Sequence, residues 1–293
     1  MKKMIITGAL CAFFMTGVYA EKPKNKTSVP IPKQPEFTVS DAKVYGKQLV
    51  DYSDAYNEGW VDEILKGQMT LFDAKGDSVR RAFTRMTYER SKKGDKVIIK
   101  FTSPAEIKGV SALTFENPGS SDDNWLYLPS TKRVRRISGA NNTASFQGTE
   151  FTYEDLNDLD PVEYDWKFLA ETTLNRGGEN IPVYKIDAKP TYKNTAYSHV
   201  ILYIHKTNWL QIQVDYYNKA GKHFKTRKAS GWQLFHGRFW RNYRVEMENH
   251  RTGKRTLLEL QKFYVDLSKY ESSRTGKNRK NLKEAMFTTR AIK

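Results

Sequence analysis

The sequence predicts a mainly β protein organised around a single curved antiparallel sheet of about ten to eleven strands. Three observations predict it. Apolar and polar residues alternate with period two along many short segments. Glycine-bearing turns of hairpin type separate those segments. Aromatic residues make up 13% of the 293-residue chain, with 17 Tyr, 15 Phe and 6 Trp, enough for a folded core despite a mean hydropathy of -0.70.

The chain opens on an address. Lys2 and Lys3 form a basic start, the stretch from Met4 to Val18 is largely apolar, and Val18-Tyr19-Ala20 places small residues where a signal peptidase reads. Residues 1–20 are expected to be a cleaved secretory signal peptide, because an apolar run of about fifteen residues is short for the ~20 of a membrane span. Leu10, not a small residue, precedes Cys11, so no lipid anchor is expected. No later segment is apolar enough for a transmembrane helix, and the mature chain is expected in the periplasm. Residues 21–38 carry Pro23, Pro30, Pro32 and Pro35 and read as a flexible linker. Residues 39–293 read as one domain.

Ser40-Asp41 opens a helix that runs to about Tyr56, with Val44, Leu49 and Tyr52 on one side and Asn57-Glu58-Gly59 as its end. The period then changes to two. In 96–102, Val97, Ile99 and Phe101 oppose Lys96, Lys100 and Thr102. In 163–169, Tyr164, Trp166 and Phe168 oppose Glu163, Asp165 and Lys167. In 210–217, Leu210, Ile212, Val214 and Tyr216 oppose Gln211, Gln213, Asp215 and Tyr217, and 243–248 repeats the pattern with Tyr243, Val245 and Met247. Such strands bury one face and wet the other. Turns are expected at 73–77, 92–95, 218–221 and 251–254, each with a glycine. The segment from Glu271 is polar and basic, with Arg274, Lys277, Arg279, Lys280 and Lys283. A lipid-facing barrel is disfavoured by 79–90, which carries arginines on both faces, each costing ~2–4 kcal/mol near a bilayer midplane.

Most familiar chemistries have no seat here. The only cysteine is Cys11, inside the expected signal peptide, so no disulfide, cysteine nucleophile or cysteine zinc site is expected. GxSxG, HExxH, GxxxxGK[ST] and GxGxxG are all absent. His199 and His205 share a strand face about 20 Å apart and cannot share a metal. The acidic run 150–165 lacks the glycine and closing glutamate of a calcium loop and reads as a solvated turn or short helix. No cofactor or metal is expected. The formal net charge is +16, from 49 Lys and Arg against 33 Asp and Glu. In an exported protein this suits an anionic membrane surface or acidic partners rather than nucleic acid. Arg133 and Arg135 point one way along 131–137 and Lys132 and Arg136 the other. Exposed ion pairs with the acidic run could satisfy them. Alternatively, Arg133 and Arg135 could latch a covering helix by donating to its carbonyls.

Three ordered segments carry a family resemblance: Asn124-Trp125-Leu126-Tyr127-Leu128-Pro129, Lys132-Arg133-Val134-Arg135-Arg136-Ile137, and Ser145-Phe146-Gln147-Gly148-Thr149-Glu150-Phe151-Thr152-Tyr153-Glu154-Asp155-Leu156. They resemble the outer membrane lipoprotein-sorting protein family, similar in fold to the carriers LolA and LolB. Phe101-Thr102-Ser103-Pro104-Ala105-Glu106-Ile107-Lys108-Gly109, Val214-Asp215-Tyr216-Tyr217, and 246–254 continue the match in order. The N-terminal linker, the basic stretch 274–283 and the aromatics Trp232, Phe235, Phe239 and Trp240 are heavier than the family pattern. The resemblance implies an incomplete β-barrel with lid helices, a periplasmic location, binding of acyl chains without catalysis, and work beside inner-membrane transporters of the RND type.

The reading that follows is a carrier of lipid or lipoprotein acyl chains. Its candidate lining residues are Val97, Ile99, Phe101, Trp125, Tyr127, Tyr164, Trp166, Ile212 and Val214, each of which could instead pack a lid. A second reading is a periplasmic adaptor working through protein contacts; its signature would be a filled cavity and a large exposed aromatic patch near Trp232–Trp240. A third, a cell-envelope hydrolase, needs two carboxylates converging in a cleft with room for a water.

Overall fold

The computed structural model describes residues 29–90, 93–137, 139–156, 159–266 and 282–293. The expected signal peptide, the first part of the linker and most of the basic stretch 274–283 lie outside the described residues.

Thirteen strands form one antiparallel sheet, two or three more than the turn spacing suggested. They are β1 (Asp62–Phe72), β2 (Ser78–Tyr88), β3 (Lys96–Ser103), β4 (Ser111–Phe115), β5 (Asp123–Leu128), β6 (Arg133–Ile137), β7 (Tyr164–Arg176), β8 (Glu179–Pro190), β9 (Tyr197–His205), β10 (Gln211–Asn218), β11 (His223–Phe235), β12 (Phe239–Asn249) and β13 (Lys254–Asp266). Across the sheet the order is β6-β5-β4-β3-β2-β1-β13-β12-β11-β10-β9-β8-β7. Two meanders, β1–β6 and β7–β13, therefore meet at the β1–β13 pair. The sheet is curved but not closed, with β6 and β7 as its edges. Gly67 marks a register shift in the β1–β13 pairing: a Cβ there would lie 2.7 Å from the Glu259 carbonyl oxygen.

One α-helix, α1 (Ala42–Asn57), stands among the described residues. The Asp41 carboxylate caps it, accepting from the Lys43 and Val44 amides at 2.8 and 3.1 Å. Those two amides hold the Asp41 carboxyl below its ordinary value. Its buried stripe is Tyr45, Leu49 and Tyr52, at spacings of one and two turns, so Val44 falls outside it and is exposed. Gly46 lets the helix lie directly on the backbone of edge strand β7. Residues 29–38, expected to be a flexible linker, pack beside α1: Phe37 contacts Tyr45 and Tyr52, and the Tyr52 hydroxyl donates to the Pro32 carbonyl at 3.1 Å.

The sheet has a covered inner face and an outer face. On the inner face Tyr164, Trp166, Ile186, Leu202, Val214 and Met247 pack under α1. Leu65, Met69, Phe83, Val97, Ile99 and Phe101 pack under the connection that joins β6 to β7. Leu258 and Leu156 touch both groups, so the inner core is continuous. On the outer face the C-terminal segment lays Leu282, Phe287 and Ile292 across Ile98 and Leu113. A separate outer cluster gathers Val183, Ile201, Tyr203, Leu210 and Ile212 beneath Trp232 and Trp240.

Candidate functional site

The β6–β7 connection (139–163) is the second cover of the inner face. Among its described residues it has no long helix, only two short 3-10 turns at Gly139–Asn141 and Glu154–Leu156. Phe146, fully buried, lies over Phe101 with ring centroids 5.9 Å apart and meets Tyr153 edge-on at 5.5 Å. Phe151 and Tyr153 are also buried. The cover thus lowers aromatic side chains onto the wall formed by β1–β5.

Polar contacts pin it there. Arg81 of β2 donates to the Gln147 carbonyl. The Asn249 amide donates to Glu150 at 2.7 Å, and the Glu150 amide donates to the Thr256 hydroxyl at 3.0 Å. Glu154 accepts from the Tyr192 hydroxyl at 2.6 Å, from the Ala196 amide at 3.0 Å and from the Thr195 hydroxyl. Asp155 accepts from the Tyr197 hydroxyl at 2.6 Å and pairs with Lys225 at 2.5 Å, both side chains almost wholly buried. Burial raises the Glu154 carboxyl above its ordinary value, against the pull of its hydrogen bonds. The acidic run is therefore no solvated turn: Glu154 and Asp155 are interior anchors. Where it meets water, Glu163 is pushed up to about 7 by partial burial and by the charges of Asp122, Asp160 and Glu154.

Glu154, Asp155, Leu159, Tyr164, Tyr197, Tyr216 and Arg227 enclose a void of about 10 Å³, roughly one water. A larger, open groove of about 660 Å³ lies on the outer face, between Phe115, Trp125 and Lys96 of the sheet and Glu284 to Thr289 of the C-terminal segment.

The expected lining residues divide among three places. Val97, Ile99 and Phe101 lie together on the inner face under the β6–β7 connection. Tyr164, Trp166 and Val214 lie on the same face under α1. Trp125 and Tyr127 point outward toward the C-terminal segment, because it is their neighbours Leu126 and Leu128 that face the inner core. Ile212 also points outward, apart from Val214: a bulge between Gln211 and Gln213 breaks the alternation that would have kept them together.

Arg133 and Arg135 sit exposed on edge strand β6, at the opposite edge of the sheet from the helix-bearing β7, and make no helix latch among the described residues. Their neighbour Arg136 pairs with Asp123 rather than with the acidic run. A latch of the expected kind exists elsewhere. Arg238, buried in the β11–β12 turn, donates to the Tyr56 carbonyl in the last turn of α1 and, at 3.4 Å, to the Pro30 carbonyl. Sequence reasoning missed Arg238 and Arg81, and it missed the role of Phe146, Phe151 and Tyr153. The only signal for those aromatics was their place in the family-like segment 145–156, which has no period from which burial could be read.

Among the described residues no group of three or more His, Cys, Asp or Glu side chains is placed to hold a metal ion. None of their helices is long and apolar enough to cross a membrane.

An open antiparallel sheet whose apolar face is roofed by a helix and an occluding connection is the LolA-like fold. A family model described as an uncharacterized protein matches residues 93–293, and the chain belongs to that family. It is similar to the crystal structure of a domain described as an outer membrane lipoprotein-sorting protein from Vibrio parahaemolyticus. That match is 29% identical, with a TM-score of 0.75, and covers 84% of this chain and 97% of that one. A DUF1329 family protein from Desulfovibrio piger matches at 26% identity and TM-score 0.75, over 86% of this chain and 100% of that one. A LolA superfamily protein from Nitrosomonas europaea shares the fold at 14% identity, TM-score 0.61, over 84% and 98%. No curated protein matches the sequence.

Proposed function

We propose that this protein is a periplasmic carrier of acyl chains, from a lipid or a lipoprotein, that acts by binding and release without catalysis. The observation that carries the reading is the roofed inner face, where the β6–β7 connection puts Phe146 on a continuous apolar wall that includes Val97, Ile99 and Phe101. In the loaded state acyl methylenes occupy the place of Phe146 and its neighbours. At ~0.8 kcal/mol per methylene, ten of them supply about 8 kcal/mol. Lifting one buried aromatic off its wall costs about 3–5 kcal/mol. The balance leaves a reversible complex, suited to holding cargo and passing it on. The likeness to a lipoprotein-sorting domain over most of both chains supports the same reading. Transfer toward the outer membrane, or exchange with an RND-type transporter, rests on the family resemblance alone.

The adaptor reading gains one observation, the smallness of the void under α1, about 10 Å³. Its other signature is missing, because Trp232 and Trp240 are half-buried on the outer cluster and Phe239 is fully buried. The hydrolase reading loses ground because Glu154 and Asp155 are occupied by Tyr192, Thr195, Tyr197 and Lys225.

The test is native mass spectrometry of the protein purified from its own periplasm, followed by lipid extraction. An acylated species bound at fixed stoichiometry is expected. A clean unliganded mass, with no uptake of a fluorescent fatty probe by wild type or by Phe146→Ala, overturns the carrier reading in favour of the adaptor.

A further inference from the structure

The inner face carries charge as well as hydrocarbon, and the charge is distributed unevenly. Under α1 the inward-facing cation Lys225 has its carboxylate, Asp155, while Arg227, opposite Val214 and Met247, donates to the Gln211 side-chain oxygen at 3.3 Å. Under the β6–β7 connection the inward-facing cations have no carboxylate among the described residues. Arg81 stands opposite Met69 and Arg85 stands opposite both Leu65 and Ile99, so each projects from β2 on the side of the apolar wall. Both are partly buried. Arg81 has only the Gln147 carbonyl, a partner without net charge, and burial lowers its guanidinium from the ordinary value. Arg85 makes no hydrogen bond or ion pair with any described residue. The inner-face carboxylate on the neighbouring strand, Glu63, is committed to Arg241 at 2.5 Å.

Two residues beyond Arg85 on the same face, the buried Thr87 hydroxyl also lacks a hydrogen-bond partner among the described residues. At the β6 edge Arg133 and Arg135 stand opposite Leu128 and Leu126 and therefore point to the same side. They too have no carboxylate among the described residues, whereas Arg136, which points to the outer face, has Asp123. A partly buried cation without a counter-charge is a cost to the fold, and proteins keep such groups paired unless something else supplies the charge. Here the cations with no carboxylate among the described residues lie on the wall assigned to acyl chains and at its open edge.

We infer that the cargo is an anionic amphiphile, an acyl lipid bearing a phosphate group, with Arg85 and Thr87 receiving the phosphate oxygens inside the fold and Arg133 and Arg135 guiding the headgroup at its edge. This deepens the carrier reading and rests on it. An apolar site alone selects by chain length; a guanidinium fork selects by charge, since charge-assisted hydrogen bonds to phosphate are about twice as strong as neutral ones.

Two fluorescent probes with the same dodecyl chain test it, one ending in a phosphate monoester and the other in a neutral glucoside, titrated into the full mature chain. Wild type should bind the phosphate probe roughly tenfold tighter. Arg85→Met should lose most of that preference, keep its affinity for the glucoside, and melt no lower than wild type, because an unpartnered cation has been removed. Arg85→Lys should keep part of the preference. The double variant Arg133→Gln, Arg135→Gln, whose side chains are exposed, should bind the phosphate probe more weakly with an unchanged melt. Equal affinity of wild type for both probes overturns this inference and leaves the carrier reading standing. Binding of neither probe overturns the carrier reading itself. If inorganic phosphate alone binds as tightly as the phosphate probe, the arginines read a free anion and the inference fails. If Arg85→Met does not fold, or if it melts well below wild type, Arg85 is a structural residue. In that case the inference survives only if the edge double variant shows its expected loss.

Discussion

Gly46 offers a test in which two physical arguments predict opposite signs. Glycine in a helix interior costs about 0.5–1 kcal/mol relative to alanine, so helix propensity alone makes Gly46→Ala stabilising. The packing says otherwise. A Cβ at this position would lie 2.6 Å from the Phe168 amide nitrogen and 2.9 Å from the Lys167 carbonyl carbon, both backbone atoms of β7. Ordinary contact begins at 3.4 Å, so α1 must retreat by about 0.8 Å from strand backbone that cannot rotate away. A gap of 0.5–1 Å forfeits roughly a quarter to a half of the dispersion attraction across it. The side chains affected are Tyr45, Leu49, Val50 and Tyr52, all buried. Overpacking of this kind costs about 1–3 kcal/mol, more than the propensity gain. Gly46→Ala should therefore melt roughly 3–10 °C below wild type. Fluorescence is a local reporter of the loss, since Trp209 meets Tyr52 of α1 edge-on at 4.6 Å. Amide exchange should quicken in α1 while β3 stays protected. A Gly46→Ala protein that melts at or above wild type would refute the argument that α1 rests directly on the β7 backbone.

Three other expectations concern the covers. Arg238→Met removes the donors to the Tyr56 and Pro30 carbonyls and should cost about 1.5–3 kcal/mol by urea unfolding, with faster exchange at residues 53–57; unchanged exchange there would dismiss the latch. Asp155→Asn leaves Lys225 buried and unpaired and should cost about 3–5 kcal/mol, of which adding Lys225→Met should return a measurable part; strictly additive losses would mean that the pair is not coupled. Glu163, pushed up to about 7 in the folded protein from an ordinary value of about 4.5, binds its proton more tightly folded than unfolded. Its contribution to stability is therefore present at low pH and lost as pH rises from about 4.5 through 7. Glu163→Gln should flatten that decline in urea titrations at pH 5 and pH 8, and an unchanged slope would assign the decline to other groups.

Much of the fold was legible because hydrophobic period is a local property. The Asp41 cap, the alternation of Val97, Ile99 and Phe101, and the glycine turns can each be read from a dozen residues. Which side of an alternating strand faces inward is not local. Trp125 and Tyr127 alternate as cleanly as Leu126 and Leu128, and only the pairing of β5 with β4 and β6 decides between them. Ile212 and Val214 look equivalent until a single bulged residue separates them. The cover 139–163 was illegible for a different reason. Its aromatics are buried by what lies beneath them, in a segment with neither helical nor strand period. The arginine latch was foreseen in kind and misplaced in position, since nothing in the sequence brings Arg238 to the end of a helix 182 residues away.

The strand order also fixes when the molecule can be completed. Every neighbouring pair in the sheet is a sequence-adjacent hairpin except β1 with β13, so the first and last strands of the chain lie side by side in the middle of the sheet. Hairpins close in about 1–10 μs. The central seam must instead wait until the chain through β13 has reached the compartment where it folds. For that interval the eleven residues of β1 present a naked edge, the kind of surface that recruits other chains into aggregates. Asp62, Glu63 and Lys66 place charge along that edge, and Gly67 interrupts its regular pairing. These features guard a nascent strand until its partner arrives. A truncation that removed β13 would split the sheet at its centre instead of shortening it at a margin.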